Sequence, residues 1–303
     1  MKLKPVEQQV IVITGASSGI GLATVEAAVR RGARIVMASR SQETLSALAR
    51  DIVSQGGQAV AVVADVSDRK QVQSIAETAI SRFGRIDTWI NNAGLSVYGR
   101  LDEVSDDDSR RLFDINFWGV VYGSLVALPY LRLQGGALIN VGSEVSEAVI
   151  PLQGMYSASK HAVKGFTDAL RVEIQEIDQA PVSITLIQPT AVDTPFPEHA
   201  RNYMPLEPKL PTPQIDPEDV AEAILKAAED PTRDAKVGGM ATLNTAAAKL
   251  FPSLGDKMSA KQANRQQYDE APRDPEGTLY KPGETGRKRG LKPAENEELE
   301  GRP

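Results

Sequence analysis

Apolar residues along this chain fall into short β-branched runs, separated by longer stretches in which they recur every three or four positions. The first pattern suits strands buried on both faces, the second helices with one apolar stripe. Val10–Thr14 predicts a strand, Gly15–Gly21 a glycine-rich turn, and Leu22–Arg31 a helix ending at Gly32, a residue suited to a left-handed C-terminal position. Arg34–Ala38 predicts a second strand, Gln42–Gln55 a helix, Ala59–Ala64 a third strand, Lys70–Phe83 a helix and Thr88–Asn91 a fourth strand. A long helix is predicted over Ser105–Arg132, bent at Pro129, whose ring clashes with the preceding turn. Ala137–Val141 and Val182–Gln188 predict two further strands around a helix over Met155–Gln175. Asp216-Pro217-Glu218-Asp219 starts a last helix running to Asp230, with Asp in the capping position, Pro first and acids in the first turn.

Doubly buried strands alternating with helices predict an α/β fold, a doubly wound, Rossmann-like parallel β-sheet with helices on both faces. Past Gly239 the pattern fails. Gly, Pro and charge crowd from Arg273-Asp274-Pro275-Glu276-Gly277 to the acidic end Glu295–Glu300. Leu243, Leu250, Phe251, Leu254 and Met258 are too few for a second core, though they suit one docked helix near Thr245–Leu250. The expected division is therefore a dinucleotide-binding and catalytic domain over 1–239 and an irregular extension over 240–303. Arg287-Lys288-Arg289 reads as a solvated charge run. Deleting Ala271–Pro303 is expected to leave nucleotide affinity unchanged.

Composition narrows the chemistry. The 303 residues include no cysteine and two histidines, His161 and His199, which excludes disulfides and thiolate metal sites and leaves too few ligands for a histidine cluster; no metal is expected. A net charge of -6 has the wrong sign for a nucleic-acid footprint. No run of about 18 apolar residues predicts a membrane span, and Met1–Pro5 leads to the first strand without the apolar segment of a secretory signal. A cytoplasmic protein is expected. Its chemistry must rest on Ser, Tyr, Lys, Asn or carboxylates.

Between the first strand and first helix lies Thr14-Gly15-Ala16-Ser17-Ser18-Gly19-Ile20-Gly21. A pyrophosphate needs backbone approach without Cβ obstruction and the free N–H donors of a helix N-terminus, and this segment offers both. The second strand ends in Ser39-Arg40, where an Asp or Glu would bond the ribose of NAD. Arg40 suits a 2′-phosphate, so the expected cofactor is NADP(H). Tyr156-Ser157-Ala158-Ser159-Lys160 puts a phenol and an ammonium one helical turn apart, and Tyr156 is the only one of seven tyrosines with a basic residue four positions on. A nearby cation lowers a phenol pKa toward useful range.

The glycines at 15, 19 and 21, Asn91-Asn92-Ala93-Gly94, Asn116, Ser143 and the Tyr156/Lys160 pair resemble the short-chain dehydrogenase/reductase family in order and spacing. Ser143 stands 13 positions and Asn116 40 positions before Tyr156, and the resemblance covers about Val6 to Gly239. It implies that Tyr156 is the acid/base, that Lys160 holds the nicotinamide ribose and tunes the phenol, and that Ser143 bonds the reacting carbonyl. Asn116 would anchor a water linking Lys160 to solvent. It also implies a cofactor groove lined by Gly15, Ser17, Ser18, Gly19, Ile20, Gly21, Ser39, Arg40, Asp65, Val66, Asn92, Ala93, Gly94, Pro189, Val192 and Thr194. The chain departs from the family at Pro189-Thr190, where Pro-Gly is common, which puts the local loop path in doubt. His161 has no role in the family and is read as structural.

Substrate-facing candidates are apolar, namely Leu95, Val97, Val149, Ile150, Leu152, Phe196, Tyr203 and Met204, with Pro195–Pro213 as a lid. The expected reaction interconverts a carbonyl and an alcohol on an apolar small molecule, in a homo-oligomer (dimer or tetramer). Two other readings stay open, an NADP-binding redox sensor with little turnover, and an epimerase or dehydratase that recycles its hydride.

Overall fold

The computed structural model describes residues 3–250, 253, 256–257, 259–260 and 263–291. Nine strands occur among them: β1 (Val10–Thr14), β2 (Arg34–Ser39), β3 (Gln58–Val63), β4 (Thr88–Asn91), β5 (Val97–Tyr98), β6 (Gly136–Val141), β7 (Val182–Pro189), β8 (Arg201–Asn202) and β9 (Asp234–Val237). The helices are α1 (Gly19–Arg30), α2 (Gln42–Ser54), α3 (Arg69–Phe83), α4 (Asp106–Phe113), α5 (Gly119–Gln134), α6 (Gly154–Arg171), α7 (Pro217–Glu229) and α8 (Gly239–Leu250). Seven strands make one parallel sheet in the order β3-β2-β1-β4-β6-β7-β9, and β5 pairs with β8 in a small second sheet.

Alternation along β1 builds both sides of the core at once. Ile11 and Ile13 point to one face with Ile35, Ile139, Ile187 and the apolar stripes of α1 and α7. Val12 points to the other with Val36, Trp89, Leu138 and stripes of α3 and α5. After β1 the chain moves outward through β2 and β3, then returns to place β4 on the other side of β1. That reversal opens a crevice at the C-terminal ends of β1 and β4, where doubly wound sheets bind ligands.

A buried polar chain stiffens the same edge. The Trp89 indole N–H donates to Asn91 Oδ1 (2.8 Å), Asn91 Nδ2 to Asn140 Oδ1 (2.8 Å), and Asn140 Nδ2 to the Thr167 hydroxyl (2.9 Å). These satisfied bonds tie β4 to β6 and to α6, the strands and helix from which Asn92, Ser143 and Tyr156 project.

The long helix predicted over Ser105–Arg132 is interrupted elsewhere than expected. Asp114–Trp118 forms a wide π-turn between α4 and α5, while Pro129 lies inside α5. The irregularity falls where Asn116 is fully buried, at a side chain with work to do rather than at the proline. Asp106–Gln134 as a whole is long and apolar enough to cross a membrane, but 61% of its most apolar window is buried inside the protein, as in a core helix. The predicted α6 region likewise ends in a second π-turn, Val172–Ile177. β9, absent from the sequence reading, pairs with β7 and carries no clean apolar run.

The extension does dock a helix, α8, longer than expected. Its later part returns to the main body. Gln266 and Leu279 are fully buried, and Gln266 bonds Gln153 Nε2 (2.9 Å) and the Pro151 carbonyl (2.8 Å). Glu270, Phe251, Leu254 and Met258 illustrate the division of the tail: the first meets Glu207 through a backbone bond, and the last three lie outside the described residues.

Candidate active site

The turn after β1 is shaped by two glycines in left-handed conformation, Gly15 (φ 68°) and Gly19 (φ 53°). A Cβ on Gly15 would lie 2.8 Å from Ala93 Cα, and one on Gly19 3.3 Å from the Thr194 side chain. At Gly21 it would collide with the Gly15 carbonyl. Side chains here would close a cradle at the start of α1, whose capping residue Ser18 makes no side-chain bond to the helix. Thr14 Oγ1 accepts from the Asn92 and Ala93 amides (3.1 and 3.2 Å), and Asn92 Nδ2 donates to Thr14 O (3.0 Å), so the ends of β1 and β4 are stitched together beneath the crevice.

Every catalytic and cofactor-groove candidate named from sequence, apart from Gly21 and Asn116, lines this one groove. Asn116 lies just behind it. Its Oδ1 accepts from Leu95 N–H (2.9 Å), and its Nδ2 donates to Leu95 O (2.9 Å) and Ser159 Oγ (3.1 Å). Both amide N–H groups and one acceptor position are thus taken by Leu95 and Ser159, which fixes the side chain beside the groove.

α6 presents the Tyr/Lys pair. Lys160 is buried, donates to the Val141 carbonyl (2.9 Å), and stands 5.8 Å from the Tyr156 ring centre. Burial lowers its pKa to about 8. Tyr156 keeps some surface open to the groove, yet burial pushes its phenol up to about 12. The Ser143 hydroxyl, within hydrogen-bonding reach, works against that rise, while the charge of Glu144 adds to it. Ser143 caps the short turn Glu144–Ser146, accepting from Val145 N–H (3.3 Å). His161 is exposed and its ring bonds the Ser157 carbonyl (2.9 Å), away from the groove.

At the other end, Asp65 accepts from Ser67 Oγ (2.7 Å) and Arg111 Nη2 (2.5 Å); burial alone would raise its pKa, but these donors hold it below the usual range. Arg40 donates to the carbonyls of Leu279 (3.2 Å) and Thr278 (2.5 Å) and lies 4.0 Å from Asp65. The arginine read as free for a phosphate is thus already held by the C-terminal segment. Arg287, Lys288 and Arg289 are no solvated run either: each pairs with carboxylates, Glu198, Glu26 and Asp216 among them. Residues after Ala271 thus touch the groove, with Leu279 buried and the Thr278 and Leu279 carbonyls bonded by Arg40, which bears on the expectation that deleting Ala271–Pro303 leaves nucleotide affinity unchanged.

The apolar candidates divide. Leu95, Ile150 and Phe196 line the groove, and Phe196 stands 5.4 Å from Tyr156 between ring centres. Val97 is buried in the core in β5, which pairs with β8, Met204 and Leu152 pack on Tyr98 of the same strand, and Val149 is exposed. The Tyr203 hydroxyl donates to Asp108 (2.7 Å) instead. From Pro195–Pro213, Leu210 and Pro211 reach the groove beside Phe196. Thr190, the departure from Pro-Gly, lines the groove with its amide on the Val237 carbonyl (3.0 Å), so β9 sets the loop path. Sequence reading missed Glu144, although it directly follows Ser143. It is half-buried, bonded by Asn244 Nδ2 (2.9 Å) and Thr190, and its pKa is raised by burial. Thr278, Pro282 and Gly283 carried no motif that could have placed them here.

A family profile described as short chain dehydrogenase matches residues 9–204. An uncharacterized oxidoreductase of Bacillus subtilis, YxnA, is 45% identical over 288 residues, covering 93% of this chain and 81% of its own. The 11-beta-hydroxysteroid dehydrogenase A of Sesamum indicum is 38% identical over 188 residues, 61% of this chain and 53% of that one. Among solved structures, a short-chain dehydrogenase/reductase from Burkholderia phymatum in complex with NAD superposes with a TM-score of 0.74 at 26% identity, over 84% of this chain and 96% of its own. An alcohol dehydrogenase from Thermococcus sibiricus complexed with 5-hydroxy-NADP gives 0.66 at 29% identity, over 76% and 94%. Fold and groove thus define a dinucleotide-type oxidoreductase. The chain belongs to the short-chain dehydrogenase/reductase family and is an enzyme of that type.

Proposed function

We propose that this oxidoreductase uses NADP(H) to interconvert a carbonyl and an alcohol on an apolar small molecule, with Tyr156 as acid/base. The observation that carries the reading is the convergence of Ser143, Tyr156 and Lys160 on one groove with the glycine turn at its far end. The bound nucleotide supplies or accepts the hydride. Gly15, Ser17, Ser18, Gly19, Ile20 and Gly21 cradle its pyrophosphate, Ser39 and Arg40 face the adenosine ribose, and Asp65 and Val66 flank the adenine. Asn92, Ala93 and Gly94 line the middle of the groove, while Pro189, Val192 and Thr194 hold the nicotinamide end.

Tyr156 delivers a proton to the substrate oxygen in reduction and removes it in oxidation. Its phenol near 12 is poor at the second task, and burial is the reason. Two positive charges, the Lys160 ammonium and an oxidised nicotinamide, draw it back down. Ser143 steadies the oxygen that gains charge. Leu95, Ile150, Phe196 and Leu210 exclude water around it.

Arg40 has no carboxylate neighbour at position 39 to repel a 2′-phosphate, which supports NADP(H) over NAD(H). Asp65 lies within reach of that guanidinium and is itself held by Ser67 and Arg111. Equilibrium titration with NADPH and NADH tests the reading. NADPH is expected to bind at least about tenfold more tightly, and Ser39→Asp with Arg40→Leu to reverse the order. Equal affinities in the wild type overturn the preference. Net loss of NADPH with a panel of apolar ketones and aldehydes separates a reductase from an epimerase or a sensor.

A further inference from the structure

From Thr278 to Leu291 the chain forms neither helix nor strand, yet it is pinned at almost every step. The Leu279 carbonyl accepts from both Arg40 and Arg111 Nε (3.2 Å each), and its side chain is fully buried in the cluster containing Val66. Ser41 Oγ donates to the Gly283 carbonyl (2.6 Å), and Thr44 N–H to Glu284 (2.8 Å). Gly286, in left-handed conformation (φ 61°), turns the chain so that the Arg287 carbonyl accepts from Gly19 N–H (2.9 Å). That donor is among the first N–H groups of α1, the set an anion in the cradle would draw on. Thr278, Pro282 and Gly283 line the same groove as Gly15, Ser39 and Asp65, so the segment walls the groove and leaves it hollow.

Three consecutive cations fasten this segment. Arg287 pairs with Glu198 (2.7 Å), Lys288 with Glu26 of α1 (2.7 Å) and Glu218 of α7 (3.0 Å), and Arg289 with Asp216 (2.8 Å) and Glu218 (3.0 Å). Each pair is partly exposed and individually weak. Together they hold one short strand of chain, and added salt screens all of them.

We propose that Thr278–Leu291 is an ionically latched outer wall of the nucleotide site, which must lift for the nucleotide to enter or leave and which holds Arg40 in place once closed. The inference rests on reading the groove as a nicotinamide-nucleotide site, though not on which nucleotide is preferred. Because the wall touches the adenosine end and the cradle, it acts on exchange of the nucleotide more than on the chemistry at Tyr156.

Stopped-flow displacement of NADPH from the full-length protein, at low and raised salt, tests this. In the triple variant Arg287→Gln/Lys288→Gln/Arg289→Gln, release is expected to be about tenfold faster at low salt, the scale of several surface pairs lost together. Wild-type release should speed up with salt, while the variant responds little. Glu26→Gln with Glu218→Gln, which unlatches from the opposite side, should reproduce the effect. Equal release rates and equal salt responses in wild type and both variants overturn the proposal. Should the variants unfold, a wild-type release rate that ignores salt overturns it on its own. A wild type that binds neither NADPH nor NADH overturns the reading of the groove, and the wall with it.

Discussion

Lys160 shows how burial sets both chemistry and stability. Its ammonium has the Val141 carbonyl as hydrogen-bond acceptor, and burial brings its pKa from 10.5 to about 8. Between those values the unfolded chain binds the proton and the folded protein does not, so this residue's contribution to stability rises with pH through that window. Below about pH 8 both states are protonated and the cost of burying the charge is fully present. Lys160→Met removes the group. The unfolding free energy of wild type relative to this variant is expected to climb by up to about 3 kcal/mol from pH 7.5 to 10.5, read from denaturant titrations. A gap that stays constant with pH would mean the lysine is not desolvated. Glu144 acts on the phenol through space, raising its pKa. Glu144→Gln is therefore expected to move the pH profile of alcohol oxidation toward lower pH, because losing a negative neighbour favours phenolate. A shift to higher pH would contradict this placement.

At the scale of elements, two glycines make opposite cases. Gly21 opens α1 against the Gly15 carbonyl, and Asn92 Nδ2 would stand 2.7 Å from an added Cβ. Gly21→Ala is expected to destabilise the protein by about 2 kcal/mol and to weaken NADPH binding, since the cradle must widen. Gly165, on the exposed face of α6, has open space around it. Gly165→Ala is expected to stabilise by about 0.5–1 kcal/mol with turnover unchanged, because only helix propensity is altered. Thermal melts of both variants check the pair. Most of these elements were legible in the sequence, because strands such as Val10–Thr14 are buried on both faces and leave continuous apolar runs. β9 was not, since Asp234-Ala-Lys-Val is an edge strand recruited by β7. Nor was the π-turn at Asp114–Trp118, whose cause is the burial of Asn116 among partners 21 and 43 positions away.

Over the whole molecule, the local motifs were readable from the sequence and the long-range closures were not. Gly15, Ser143, Tyr156 and Lys160 announce themselves by spacing, and the sheet's crossover order gathers them at one edge. The contact between Arg287 and Gly19 spans almost the full chain and has no periodic trace, so Arg287-Lys288-Arg289, in an extension dense in Pro, Gly and charge, read as a solvated run. Glu144 escaped notice for a similar reason: it lines the groove beside the apolar candidates, and its bond from Asn244 comes from a residue 100 positions later. What unites the molecule is the claim that Tyr156 supplies the proton in a site otherwise built to bind a nucleotide. Tyr156→Phe keeps the ring and its contact with Phe196 and removes only the hydroxyl. The most direct measurement compares NADPH affinity and ketone-dependent NADPH oxidation in wild type and this variant. Affinity within about twofold of wild type with turnover lowered at least about a hundredfold is the expected result. Turnover within a few-fold of wild type would contradict the account, and would place the acid on another residue.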